Sequence, residues 1–324
     1  MRQKVFYCVL GAVLLALISA GHAQQAKGSK IGWLSGRLAS DPGLDRFLAE
    51  LRELGYVESK NIAIEPRYAD NKFDRLPALA DELVRLKVDL LLAPSTIEAQ
   101  VAKNATRTIP IVFMNAADPV ASGLIDSLAR PGGNITGMTN FAVVLAGKRL
   151  ELLKETIPKL TRVAVLWDPQ APGSAQQWKE SQLPARELGL QLHSMEVSSA
   201  DKFEAAFKAA VKARSNGLSV TQSPPFLSNR KLITELATKN QLPAIYNRGD
   251  WIDTGGLIAY GPDNQEPSKR AAYYVDRILK GANPADLPVE QPMKFELVIN
   301  FKAAKSLGLT ILPIVLMRAT RVVK

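Results

Sequence analysis

Two α/β lobes, each built on a doubly wound parallel sheet, are what the pattern of this chain predicts. Three observations predict it. Short apolar runs alternate with amphipathic helical stretches from Lys30 to Asn140. The same alternation begins again after Asn140 and continues to Tyr246. No stretch rich in Gly, Ser or Pro separates the halves, so the join reads as a hinge rather than a loose tether. Strand and helix in alternation mark a parallel sheet covered on both faces. A length of 324 residues is enough for two domains.

The first residues read as a targeting segment. Arg2 and Lys4 make a positive start, Val9 to Ile18 is an apolar core, and Gly21-His22-Ala23 offers small residues at a cleavage site. The apolar run is too short to span a bilayer comfortably, so residues 1–23 are expected to be a signal peptide cleaved near Ala23. Cys8, the only cysteine, falls inside it. A mature chain without thiols suits an oxidising compartment, and a chain of this length can bury a core without disulfides.

KIGWLSG, Lys30 to Gly36, is the first strand, and Leu44, Phe47, Leu48, Leu51 and Leu54 follow at helical spacing. Asn61 to Tyr68 alternates as a strand, and Phe73 to Leu86 carries a second helical stripe. Val88 to Ala93 is an apolar strand, followed by a helix from Ser95-Thr96 to about Thr106. Ile109 to Met114 is a strand buried on both faces. Asp118 is placed to cap a helix with Pro119 in its first turn, running to about Ala129. Pro131-Gly132-Gly133 breaks the chain before Ile135 to Met138, and the first lobe ends near Asn140.

In the second half, Val143 to Ile157 carries a helix stripe and RVAVLW, Arg162 to Trp167, is a strand. A helix over about 174–188, an extended stretch over 190–197 and a helix over 203–213 come next. Gly217 to Gln222 and Pro243 to Tyr246 are strands around a helix marked by Leu232, Ile233 and Leu236. The tail pieces are too few for a third domain and are best used to complete the two sheets. The expected division is 30–139 plus 257–290 for lobe 1 and 140–256 plus 291–324 for lobe 2. Such a protein closes on a ligand between its lobes.

Composition excludes several functions. Hydrophobic content of 47% and charged content of 22% describe an ordinary globular protein. The formal charge of +10, which becomes +8 without Arg2 and Lys4, is scattered along helices, so no nucleic-acid partner is expected. One histidine remains after the signal segment, His193 in mid-strand, and there is no G-x-S-x-G. No catalytic residue, metal ligand or cofactor is therefore expected, and GGNITG lacks the dinucleotide spacing.

The strand ends carry the binding chemistry instead, because ligands of open parallel sheets sit outside the carboxyl ends of the strands. The first lobe offers Trp33, Ser35, Ser95, Thr96, Asn115 and Asp118, with Asn140 at its exit. The second offers Trp167, Asp168, Thr221 and Gln222, then Tyr246, Asp250, Trp251 and Tyr260. Ser95 and Thr96 open a helix, where free N–H groups suit an anion, though plain capping is an equal reading. Asp118, Asp168 and Asp250 can each receive an ammonium or serve only as caps. Asp168 is the choice, because it ends the clearest strand of the second lobe. The aromatics can stack on a flat ligand or simply pack the rim.

IPIVF with DPV, SLARPGGNITG, GKRLELLKE, RVAVLWDP, LPAIY, GGLIAYGPD, AAYYVDRILKGANPADLPVEQPMKFELVIN and AAKSLGLT together resemble the exported solute-binding proteins of ABC importers. The resembling branch includes tryptophan- and tyrosine-type binding proteins, and the similarity spans about Lys30 to Thr310. It implies a type I periplasmic-binding-protein fold with three crossovers. It also implies a monomeric periplasmic receptor that takes a small ligand, with an amino acid favoured and an aromatic one among the candidates, to an ABC permease at the inner membrane. The alternatives are a sensor without transport and a periplasmic enzyme. Asp168 stands where the branch commonly has Asn, and YNRGDWIDTGG departs from its usual acid and aromatic pattern.

Overall fold

The computed structural model describes residues 28–40, 42–263 and 265–324; the expected signal segment, with Cys8, lies outside them. Five strands form the first sheet: β1 Ser29–Ser35, β2 Ile62–Tyr68, β3 Leu90–Ala93, β4 Ile111–Ala116 and β5 Ile135–Thr139. They run parallel in the order β2-β1-β3-β4-β5. The second sheet has seven strands: β6 Arg162–Trp167, β7 Gln191–Glu196, β8 Gly217–Val220, β9 Ala244–Tyr246, β10 Ile258–Pro262, β11 Phe295–Asn300 and β12 Arg321–Val323. Its order is β12-β11-β10-β9-β8-β6-β7, and only β10 and β11 are antiparallel. This is the two-lobed α/β architecture that the sequence pattern predicts.

Side chains alternate across a strand, so each sheet feeds two core clusters. In β3, Leu91 and Ala93 join Leu83 and Phe113 on one face, and Leu90 and Leu92 join Ile31 and Phe47 on the other. In β6, Ala164 and Leu166 pack with Phe207 and Tyr246, whereas Val163 and Val165 pack with Leu150 and Ile299. Apolar residues on both faces of a strand require helices on both sides, which explains the near-continuous apolar runs.

Two expectations change. Ile258–Pro262, expected to return to the first lobe, pairs with β9 and β11 in the second sheet. The chain re-enters the first lobe only with the helix Glu266–Leu279, whose Ala271, Tyr274 and Val275 pack with Phe47 and Leu51. The expected helix after Asp118 is instead a series of turns. Gly123 takes φ +69°, and Lys103 Nζ donates to the carbonyls of Gly123 at 2.7 Å and Leu124 at 3.0 Å. The positive φ interrupts a helical path, while Leu124 and Ile125 are buried together in the core.

The lobes are joined at three places, near Asn140, after β10 and just after Glu290. Asn140 Nδ2 donates to the Asn115 carbonyl at 2.9 Å, and its Oδ1 accepts from Ala142 N at 2.8 Å. Arg149 ties two of the crossings: Nη1 donates to the Ala142 carbonyl and Nε to the Tyr260 carbonyl. Burial pulls its pKa down to about 10, so it stays charged at neutral pH. At the third crossing, Glu290 N donates to the Gly137 carbonyl and the Glu290 carbonyl accepts from Thr139 N.

Candidate functional site

The carboxyl ends of β1, β3, β4, β8 and β9 converge on a pocket of about 650 Å³, counting the part open to solvent. The first lobe supplies Trp33, Ser35, Arg37, Arg46, Pro94, Met114 and Asn115. The second supplies Gln222, Asn247 and Arg248, and the hinge supplies Asn140, Pro262 and Asp263. A smaller pocket of about 360 Å³ shares Arg37, Asn115 and Gln222 with it and adds Ser95, Thr96 and Ala117. The lobes also touch directly. Gln176 Nε2 donates to Asp118 Oδ2 at 3.0 Å, and a Cβ on Gly173 would collide with that of Ala117.

Five residues expected at the site line the larger pocket: Trp33, Ser35, Asn115, Asn140 and Gln222. Trp33 is 3% exposed, and its indole N–H has no hydrogen-bond partner among the described residues. Ser35 Oγ accepts from Arg37 N at 3.2 Å and so steers the backbone that presents Arg37.

Ser95 and Thr96 line the smaller pocket, but their hydroxyls serve the first lobe. Ser95 Oγ accepts from Ile97 N at 3.3 Å as a helix cap and donates to buried Glu98, which also accepts from Gly36 N at 2.9 Å. Thr96 Oγ1 accepts from Ala117 N at 3.0 Å, which leaves its own proton to offer. With Glu98 beneath, this helix start is a weaker anion site than its N–H groups alone suggest.

The remaining candidates lie elsewhere. Asp118 caps a turn through Ala121 N and bridges the lobes as described. Asp168 is 1% exposed, accepts from Ser223 Oγ at 2.7 Å and Gln170 N at 2.9 Å, and lines neither pocket. Burial pushes its carboxyl up, against the pull of those bonds. Thr221 Oγ1 donates to the Leu166 carbonyl under the strand ends. Tyr246 and Trp251 stack at 4.6 Å inside the core, where burial pushes the Tyr246 hydroxyl up. Trp167 stacks on Trp178 at 5.8 Å, with its N–H on Ser194 Oγ at 2.7 Å, and Tyr260 stacks on Phe295. Asp250 sits on an outer rim, bonded to Arg248 at 2.9 Å and 3.3 Å. Burial pushes its carboxyl up, but Arg248, Arg230 and Arg37 outweigh it and hold the group below its ordinary range.

Sequence reasoning missed Arg37, Arg46 and Asp263 and gave Asn247 no role. Asn247 is the most telling of these. It is 2% exposed, lines the larger pocket, and neither Oδ1 nor Nδ2 has a partner among the described residues. The available signal was position: Arg37 and Asn247 stand one or two residues past the last residue of β1 and β9. A strand's final residue packs into the sheet layers, whereas the next ones project over the edge. Among the described residues, no group of three or more His, Cys, Asp or Glu is placed to hold a metal.

Known proteins share this fold. A curated tyrosine-binding protein of Clostridioides difficile (strain R20291) is 28% identical over 277 residues, covering 84% of this chain and 79% of that protein. A conserved domain protein from Vibrio cholerae superposes with a TM-score of 0.85 at 28% identity, covering 91% of this chain and 100% of that one. A domain in complex with L-Trp from Streptococcus pneumonia gives 0.84 at 25% identity, over 92% of this chain and 100% of that one. The ligand-free, open structure of a substrate-binding protein with adhesive properties from Clostridium difficile gives 0.66 at 26% identity, over 91% of this chain and 99% of that one. A profile described as ABC transporter substrate binding protein matches residues 39–323, so the chain belongs to that family of solute-binding, not enzymatic, proteins.

Proposed function

We propose that this protein is an exported periplasmic receptor of an ABC importer. It captures a small solute between its lobes by hinge closure and, as a monomer, delivers it to a membrane permease. The observation that carries the reading is Asn247. A buried amide with both polar atoms unpartnered is costly in a folded protein, so a ligand group that satisfies both explains its place in the cleft. Trp33 adds a second unpartnered donor from the facing lobe. A ligand bridging the two lobes favours the state in which both contact it, which is how binding drives closure. The relatives' ligands, tyrosine and tryptophan, make a solute with a flat apolar body the starting point, and Trp33 with Met114, Pro94 and Pro262 supplies matching surface.

The test is a thermal-shift screen over amino acids, organic acids, sugars and small peptides, followed by small-angle scattering. A ligand at about a hundred times its Kd should add about 2.7 kcal/mol of stability. The radius of gyration should fall on binding, and light scattering should report one chain per particle before and after. A stabilising ligand that leaves the radius unchanged would remove hinge closure from the reading.

A further inference from the structure

We infer that the ligand presents a neutral amide-type edge, an N–H and a C=O side by side as in a primary amide or a ring lactam, and that Asn247 reads this edge with both polar atoms of its side chain. This rests on the receptor reading above and names the chemical class of its ligand.

Asn247 stands just past β9, is 2% exposed and lines the larger pocket. Neither its Oδ1 nor its Nδ2 has a partner among the described residues. Oδ1 can only accept and Nδ2 can only donate, so a group that satisfies both must bring one donor and one acceptor. The two atoms lie a fixed short distance apart in one plane. Another amide matches that spacing, because it is the same planar group turned round. Two parallel hydrogen bonds then close, as when Asn reads the edge of an adenine. A carboxylate brings acceptors only and leaves Oδ1 bare. An amidinium brings donors only and leaves Nδ2 bare. Either mismatch keeps a desolvated polar atom without a partner, which is the costly outcome.

The rest of the wall fits an uncharged ligand. Asn115 and Gln222 add two further amides. The charged groups are engaged within the protein: Arg248 with Asp250 at 2.9 Å, Asp263 Oδ1 with Gln265 N at 2.8 Å, and Arg37 and Arg46 in interactions of their own. A zwitterion would need counter-charges there for both of its ends, whereas an amide needs none. From the facing lobe comes Trp33, 3% exposed, whose indole N–H is unpartnered among the described residues. That N–H can only donate, and a carbonyl oxygen bonded to Asn247 Nδ2 still has a second lone pair to accept it. Trp33, Pro94, Met114 and Pro262 give the body of such a ligand an apolar surface.

Sets that differ in the edge test this directly: benzamide against benzoate and benzamidine, indole-3-acetamide against indole-3-acetate and L-tryptophan, and hypoxanthine against purine. Calorimetry on the mature chain should show the amide or lactam of at least one set binding about tenfold tighter or more than its comparators, the loss expected when one of two paired atoms is left bare. The set that shows it separates a primary amide from a ring lactam. Asn247→Asp turns the donor into an acceptor and should reverse the first set, so that benzamidine binds best. Because that change buries a carboxylate, Asn247→Leu serves as the second variant and should abolish the preference together with the tight binding. A purely structural role for Asn247 would leave the order within each set unchanged. If no set shows the preference, or if both variants keep the parent's order, the inference is overturned and the receptor reading stands. No shift with any solute class, together with a constant radius of gyration, removes the receptor reading as well.

Discussion

Asp168 and Asn247 illustrate how burial assigns opposite roles to polar residues at strand ends. Asp168 is satisfied by Ser223 and by backbone, yet burial raises its pKa above the ordinary 3.8. A carboxyl with a raised folded pKa contributes stability below the unfolded value and loses it as pH rises through the folded one. Asp168→Asn removes the charge and keeps an acceptor for Gln170 N, while Ser223 Oγ can turn to accept from the new amide N–H. It should therefore gain stability relative to the parent as pH rises above the ordinary carboxyl value of 3.8, read as the difference between two denaturant midpoints. Its ligand affinity should match the parent's, because Asp168 lines neither of the two pockets between the lobes. Asn247 is the reverse case, buried without partners. Asn247→Leu, close in volume, should leave stability unchanged or raise it by about 1 kcal/mol, while calorimetry shows ligand binding lost. A large loss of stability in that variant would mean that the amide has a structural partner.

Strand β5 joins the first sheet to the hinge, and Gly137 is what allows it. Its φ is +151°, and a Cβ there would collide with the Phe113 carbonyl oxygen of β4. Its own carbonyl accepts from Glu290 N at the third crossing. Gly137→Ala should cost about 2–4 kcal/mol, measured by denaturant unfolding, and should loosen β5 and the Glu290 crossing together in hydrogen exchange. The turns after Asp118 belong to the same scale. The helix expected from Asp118 and Pro119 is interrupted at Gly123, whose φ is +69°, and Lys103 bonds the Gly123 and Leu124 carbonyls there.

At the scale of the molecule, Gly173 and Ala117 meet where the lobes touch, beside the Asp118–Gln176 bond. Gly173→Ala places a methyl group into that contact and should disfavour the closed arrangement without unfolding either lobe. Each 1.4 kcal/mol of such bias weakens apparent affinity about tenfold. The expected outcome is a larger radius of gyration with saturating ligand and a weaker Kd, at an unchanged unfolding midpoint without ligand. An unchanged Kd would show that the bound state does not need this contact.

Sequence by itself determined the two doubly wound lobes, because a strand buried on both faces must be apolar throughout and a covering helix must show its stripe. These are local periods, legible in runs such as Leu90–Ala93 and Arg162–Trp167. It also singled out the strand ends, where Trp33, Ser35, Asn115, Asn140 and Gln222 line the larger pocket. Only the tertiary structure decided that Tyr246 and Trp251 turn inward as a stacked core pair. It also decided that Ile258–Pro262 joins the second sheet, and that Arg37, Asn247 and Arg248 reach the pocket. The physical reason is that period-2 alternation fixes which face a strand residue takes, but not how the next residues bend over the sheet edge. That path depends on the loop's own hydrogen bonds and on the opposite lobe, which lies far away in sequence.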